Sequence, residues 1–353
     1  MLVPKLFLSF LISVYLFVSD NPVQAQTQEK VTVNTDHVTT WVQVTNRDNG
    51  VPIKGLGIDD FLLQEEGKSQ LIDVVEKEQP LSVVLMVNGY PSEWSAEKWY
   101  RHIIEIMLEL GGDVEIAVMG YDSITVLVQP LTKDINVLSD KLKSRWAFHY
   151  FLGRHLPERI AQWPPGEWVM PRIGDTTFTA AEYLIKAVAP ARRKIIIFIT
   201  ERSFWTDETT INTGAEVEAF LEQWDITVYG LLHTNTTRVQ DNDPLYNLFY
   251  RQKIKNRLKG GTLEGFIKAT GGTSIIGQWE ECDEMFMKLA KQIRSSYTIG
   301  YYPENTNFDG KFRRIKLELS KSGKAKFGKV DIKTREGYHA VRRVPASAPE
   351  KLK

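Results

Sequence analysis

The sequence predicts an α/β chain in which a doubly wound, mostly parallel sheet is inserted in a small antiparallel β-sandwich. Three observations lead there. Leu81 to Arg294 alternates strand-like with helix-like segments, the pattern of a parallel sheet covered on both faces. Within it, Lys194 to Thr200 is apolar throughout between its two end residues, as a strand buried on both faces must be. On either side, Val31 to Lys77 and Tyr297 to Lys333 carry a two-residue period instead, the mark of half-buried strands.

Taken in order, residues 1–25 read as a signal peptide. Lys5 precedes the mainly apolar run Leu6 to Val18, and Val23-Gln24-Ala25 offers small residues for cleavage. A spanning helix needs about 20 apolar residues, so no spanning helix is expected once the signal is removed. The chain is therefore expected to be exported, periplasmic or extracellular, with a mature start near Gln26. Residues 31–79 form a β segment: Val38, Thr40, Val42 and Val44 alternate, Asn46 to Gly50 is a turn, and Phe61 to Val75 reads as two strands joined across Glu65-Glu66-Gly67-Lys68. Chains below about 40 to 60 residues rarely hold a core unaided, so this segment needs a partner. Residues 296–341 supply one, with three alternating strands around Tyr297 to Tyr301, Ile315 to Leu319 and Val330 to Ile332. One sandwich built from 31–79 and 296–341 would bring the two ends of the inserted unit, 80–295, close together. The tail 342–353, with Pro345 and Pro349, is expected to be disordered.

Inside the insert, a helix is expected from about Ser95 to Leu110, with Trp99, Ile103, Ile106, Met107 and Leu110 on one stripe and Gly111-Gly112 ending it. Val114 to Tyr121, Ile124 to Val128 and Ile226 to Leu232 read as strands. Val217, Phe220, Leu221 and Trp224, and likewise Phe286, Leu289, Ala290 and Ile293, have helical core spacing. Ligands of such sheets bind beyond the carboxyl ends of the strands, which marks the turns at Asn88 to Ser92, around Thr176 and at Glu201.

Composition narrows the function classes. Lys plus Arg equals Asp plus Glu at 44 each, so no global field favours nucleic acid, and nucleic-acid binding is not expected. The single cysteine, Cys282, cannot form an intramolecular disulfide and has no histidine at catalytic spacing, so an inert buried thiol is expected. GxSxG, HExxH, a P-loop and GxGxxG are all absent, and the six histidines are scattered. The chain is not expected to be an enzyme. A hydrolase built on Ser92, His149 and Asp175 is an alternative without geometric support from sequence.

Several stretches together carry a family resemblance. Gly55-Leu56 is followed by Asp59-Asp60-Phe61, Glu65-Glu66-Gly67-Lys68 and Pro80 to Val87. Near the end come Tyr297-Thr298-Ile299-Gly300-Tyr301-Tyr302-Pro303, Asp309-Gly310-Lys311-Phe312-Arg313-Arg314-Ile315 and Arg335-Glu336-Gly337-Tyr338-His339-Ala340. In their order and coverage, from about residue 31 to 341, they resemble the bacterial VWFA-related family first grouped from acidobacterial proteins. The middle of the chain looks like a von Willebrand factor type A domain. The resemblance implies a secreted or surface protein with a β-sandwich flank.

It also implies a metal site, which this sequence alters. In type A domains the turn after the first strand carries DxSxS. Two serine hydroxyls and a threonine hydroxyl contact the ion, two aspartates add charge, and a ligand carboxylate completes the oxygen shell. Here the turn reads Asn88-Gly89-Tyr90-Pro91-Ser92. Asn88 stands where the first Asp belongs, Tyr90 replaces the first Ser, and Ser92 keeps the second. Thr176 matches the threonine, and Glu201 takes the place of the last Asp. Mg²⁺ demands near-octahedral oxygens at about 2.0–2.1 Å, so this degenerate adhesion site is expected to hold Mg²⁺ weakly if at all, and no cofactor is expected. Asp175 is either an additional charge or a residue of the helix start, and Ser92 and Thr176 can also serve as helix-capping hydroxyls.

Aromatic residues crowd the same segments. Tyr90, Trp94, Trp146, Trp163, Trp168 and Trp205 are the partner-binding candidates, since Trp and Tyr are common interface anchors. The alternative is that these rings pack on one another beneath a proline-stiffened insertion, Arg145 to Arg172. The charged residues Arg251 to Lys259 read as a solvated surface, and Asp241-Asn242-Asp243 lacks the glycine and glutamate of a calcium loop. The expected function is a secreted binding or adhesion module for an unidentified protein or peptide. A structural subunit of a cell-envelope assembly is the alternative.

Overall fold

Three sheets organise the chain in the computed structural model, which describes residues 37–76, 79–88, 93–121, 125–143, 173–189, 192–201, 211–233, 261–278 and 281–341. Residues 1–25, where a signal peptide is expected, the insertion 145–172 and the tail 342–353 lie outside these residues. Among them the strands are β1 (Val38–Asn46), β2 (Phe61–Glu65), β3 (Lys68–Gln70), β4 (Ile72–Glu76), β5 (Leu81–Asn88), β6 (Val114–Tyr121) and β7 (Thr125–Thr132). Next come β8 (Arg193–Glu201), β9 (Ile226–His233), β10 (Ser274–Gly277), β11 (Tyr297–Tyr301), β12 (Phe312–Leu319), β13 (Val330–Lys333) and β14 (Gly337–His339). The helices are α1 (Glu93–Leu110), α2 (Ile135–Lys143), α3 (Ile173–Ala187), α4 (Gly214–Gln223), α5 (Leu263–Ala269), α6 (Cys282–Arg294) and α7 (Lys321–Phe327).

Strands from both ends of the chain interleave in the sandwich. One sheet has the order β13-β1-β11-β4 and the other β14-β12-β2-β3. Val42 of β1 lies opposite Tyr297 of β11, and Thr298 of β11 lies opposite Glu76 of β4. The chain thus leaves the sandwich from β4 and returns in the neighbouring strand β11. The alternating residues Val38, Val42, Val44, Leu63, Ile299, Ile315 and Leu317 form the buried core between the sheets.

Three features differ from the expectation, the first being a fourth strand, β14, in the C-terminal segment. The stretch after Gly67 is two strands rather than one: β3 pairs with β2 in the second sheet, and β4 pairs with β11 in the first. The break falls at Leu71, which is 90% exposed, because the chain crosses there from one sheet to the other. Between β12 and β13 lies α7, which the two-residue period passes over. Ser320 caps it by accepting the Gly323 N–H, and the Ser320 N–H and hydroxyl bond the carbonyls of Asp60 and Asp59.

The sandwich core also contains a polar cluster. Tyr301 and Tyr338 both donate to Glu65 Oε2, at 2.8 and 2.9 Å. Burial, with the Glu65 carboxylate beside it, pushes the Tyr338 hydroxyl up to about 12, and burial raises Tyr301 as well. In the unfolded chain these phenols ionise near 10, while the folded chain keeps its protons. Stability is therefore intact below pH 10 and falls as pH rises from about 10 towards 12. Urea midpoints measured at pH 8, 10 and 11 should decline in that window, and less steeply in Tyr338→Phe.

The inserted unit is a six-stranded sheet in the order β10-β9-β8-β5-β6-β7. All neighbours run parallel except β7, which is antiparallel to β6 and extends to Thr132, beyond the expected end at Val128. Pro130 is tolerated there because β7 is an edge strand. Core residues of β5 and β8 alternate between the two faces. Val83, Leu85 and Val87 of β5, with Ile195, Ile197 and Ile199 of β8, lie on the side of α1, α2 and α6. Val84 and Met86, with Ile196 and Phe198, lie on the side of α3, α4 and α5. This is the doubly wound arrangement expected from the strand and helix periods. Cys282 is buried at the start of α6. Among the described residues no helix is long and apolar enough to cross a membrane.

The sandwich docks on one end of this unit through the outer face of β1 in the first sheet and through β14 of the second. The Thr39 hydroxyl donates to Asp225 Oδ2 at 2.6 Å, and the Arg193 guanidinium lies 3.9 Å over the Trp41 ring. His339 places its backbone N–H and Nδ1 on Glu222 Oε2 at 3.0 and 2.8 Å, and Lys268 pairs with Glu336 at 3.1 Å. Arg193 opens β8, Asp225 precedes β9, and Glu222 and Lys268 close α4 and α5. The sandwich therefore sits on the amino edge of the parallel strands, opposite their carboxyl ends.

Candidate functional site

The carboxyl edge is assembled by register. β5 ends at Asn88, which lies opposite Tyr121 of β6, and Tyr121 lies opposite Thr125 of β7. The Thr125 hydroxyl donates to Thr176 Oγ1 at 3.0 Å, bringing the first turn of α3 to the same corner. On the other side, Val87 lies opposite Ile199, so the pairing of β5 with β8 runs out one step before Asn88, beside Thr200 and Glu201. Asn88, Thr176 and Glu201, distant in sequence, thus share one edge. Ser92, Tyr90, Trp146, Trp163, Trp168 and Trp205 lie outside the described residues, and Trp94 is placed only as part of the first turn of α1.

Thr176 is 3% exposed and lies inside α3, three residues after Ile173, so it does not cap the helix. That corrects one of its expected roles. Its neighbour Asp175 accepts four donor contacts. The Ile211 N–H is shared between its two oxygens at 3.1 Å each, and Asn212 brings its backbone N–H at 2.9 Å and its side-chain Nδ2 at 3.0 Å to Oδ1. A carboxylate in the first turn of a helix is also favoured by the helix dipole. Asp175 is therefore a structural acceptor, and its charge is committed to the segment leading into α4.

That segment ends in a capping box. Thr213 Oγ1 accepts the Glu216 N–H at 3.3 Å, and Glu216 Oε2 accepts the Thr213 N–H at 2.8 Å. The Thr213 N–H, with its hydroxyl, holds the Glu216 carboxyl below the usual range. Thr125, Thr200, Ile211 and Asn212 were not singled out by sequence reasoning. The pattern Thr213-x-x-Glu216 is the signal that fixes the start of α4 and hence the position of 211–212. Thr200 Oγ1 is buried at this edge with no hydrogen-bond partner among the described residues.

Among the described residues, two groups at this edge that could serve an ion are engaged within the chain. Asn88 brings no charge in place of an aspartate, Tyr90 replaces a short hydroxyl, and the Thr176 hydroxyl already accepts from Thr125. The adjacent carboxylate, Asp175, is occupied by the 211–212 donors. For a hydrolase, Asp175 is likewise turned to backbone amides, while Ser92 and His149 lie outside the described residues.

No family model matches the sequence, and no curated protein matches it. Solved structures to which the chain is similar include BatB from Bacteroides thetaiotaomicron, 14% identical with a TM-score of 0.37 over 60% of this chain and 98% of that one. The SpRpn10 VWA domain is 12% identical with a TM-score of 0.35, over 58% of this chain and 93% of that one. Proximal thread matrix protein 1 from the mussel byssus is 10% identical with a TM-score of 0.40, over 62% of this chain and 49% of that one. Likeness at this level says nothing of ligand or activity.

Proposed function

We propose that the chain is an exported, non-enzymatic binding module that recognises a protein or peptide through the carboxyl-edge loops of its α/β unit, without an obligatory metal ion. The observation that carries this reading is the position of the sandwich. Its contacts through Thr39, Trp41 and His339 take up the amino edge, so the inserted unit is held with its carboxyl edge turned the other way. Ligands of open α/β sheets bind at that edge. Tyr90, Trp94, Trp146, Trp163, Trp168 and Trp205 are the proposed anchors, being residue types that dominate interface energetics when desolvated.

Site-specific photo-crosslinking in the exporting cell tests the proposal. A photoreactive residue at Ile211, 82% exposed beside Asp175, should give a discrete adduct. The same residue at Leu108, 65% exposed near the other end of the sheet, should give none. No adduct at Ile211, or the same adduct from both positions, would count against an edge-specific partner.

A further inference from the structure

We propose that Asp175 replaces a metal ion as the tie that orders the carboxyl edge. An ion in such a site joins loops that follow different strands. Here one carboxylate does the joining: from the first turn of α3 it accepts the N–H groups of Ile211 and Asn212 and the Asn212 side-chain amide. The next residue, Thr176, ties the same turn to β7 through Thr125. Consecutive residues therefore fasten α3 to the segment that leads into α4 on one side and to the β6–β7 hairpin on the other. Hydrogen bonds to an ionised acceptor are stronger than neutral ones, and a carboxylate at a helix amino terminus has dipole support. The tie thus uses charge, as an ion would, but draws it from the chain.

The substitution changes the ligand chemistry that the edge can offer. An ion leaves a coordination position for a partner's carboxylate, whereas Asp175 turns its charge to amides of its own chain and presents Ile211, 82% exposed, on the clamped segment. The clamped segment thus offers a partner an apolar side chain rather than an ion. This consequence rests on the proposed binding role, while the clamp itself does not.

Hydrogen exchange read by mass spectrometry on the full mature chain tests the clamp without any partner, so it can fail or succeed independently of the crosslinking experiment. In the wild type, exchange at Ile211 and Asn212 should be the same after chelator treatment and in millimolar Mg²⁺. In Asp175→Ala it should rise about tenfold or more, with no recovery on adding Mg²⁺. Asp175→Asn, which keeps the shape and loses the charge, should lie between the two and covers the case in which the alanine variant does not fold. Faster exchange of the wild type in chelator, or wild-type exchange in the folded variants, would overturn the proposal.

Discussion

Replacing Glu65 by alanine is expected to destabilise the folded chain by about 3–5 kcal/mol, because it leaves a buried guanidinium without its carboxylate. Glu65 is 3% exposed at the end of β2, and Arg313, 4% exposed on the adjacent strand β12, approaches it at 3.6 Å. Arg313 also donates to the carbonyls of Asn305 and Asn307, so its head group is fixed in place and cannot swing to solvent. The same substitution removes the acceptor of Tyr301 and Tyr338, leaving two phenols to find new partners inside the sandwich. Glu65→Gln keeps an acceptor of similar shape and should lose less. Urea unfolding of the two variants at pH 7 measures the difference. A change below about 1 kcal/mol in Glu65→Ala would mean that solvent reaches Arg313.

The cluster shows where sequence reasoning stops. Glu65 stands in Glu65-Glu66-Gly67-Lys68, a run that reads as a turn, and its bond to Tyr301 spans 236 positions. No local period encodes such a contact. What was legible came from residues whose neighbours are close in sequence. The apolar run of β8 and the stripes of α1 and α6 announced buried elements, because a continuous or helical period survives whatever packs against it. Alternation in β1, β11 and β12 announced half-buried strands and the need for a partner. It could not announce the change of sheet at Leu71, since the period of two continues while the hydrogen-bonding neighbour changes. Helix α7, with the sequence Lys-Ser-Gly-Lys-Ala-Lys-Phe, has no apolar stripe and is held chiefly through its cap and the carbonyls of Asp59 and Asp60. At the candidate site, Asn88, Thr176 and Glu201 were reached through the carboxyl-edge rule for parallel sheets and the family resemblance, while the use of Asp175 was not. Its partners lie 36 and 37 residues away and are mostly backbone amides, which carry no residue-type signal.

Gly272→Ala should abolish folding or cost more than about 4 kcal/mol, the range reserved for changes the backbone cannot absorb. A Cβ at Gly272 would lie 1.8 Å from the Val228 carbonyl oxygen and 2.9 Å from its carbon, both backbone atoms of β9. Relief would require β9 to part from the turn that delivers β10. That turn is fastened to β9 by the Gly230 N–H on the Thr273 carbonyl at 3.1 Å and the Val228 N–H on the Thr270 hydroxyl at 3.0 Å. A close-packed interior has no slack for such a displacement. The preceding glycine is constrained separately: Gly271 has φ +73°, and a Cβ there would come within 2.5 Å of the Arg335 nitrogen in the sandwich. The pair therefore lets α5, β9 and the β13–β14 connection meet at one point on the amino edge, where side chains would hold them apart. Gly57→Ala is the control, since Gly57 has φ −115° and nothing within 4 Å of an added Cβ, and it should cost less than about 1 kcal/mol. Soluble yield and thermal melting followed by circular dichroism compare the two. A Gly272→Ala protein that melts with the wild type would show that β9 and the α5–β10 turn are farther apart than this packing requires, and with them the sandwich and the amino edge.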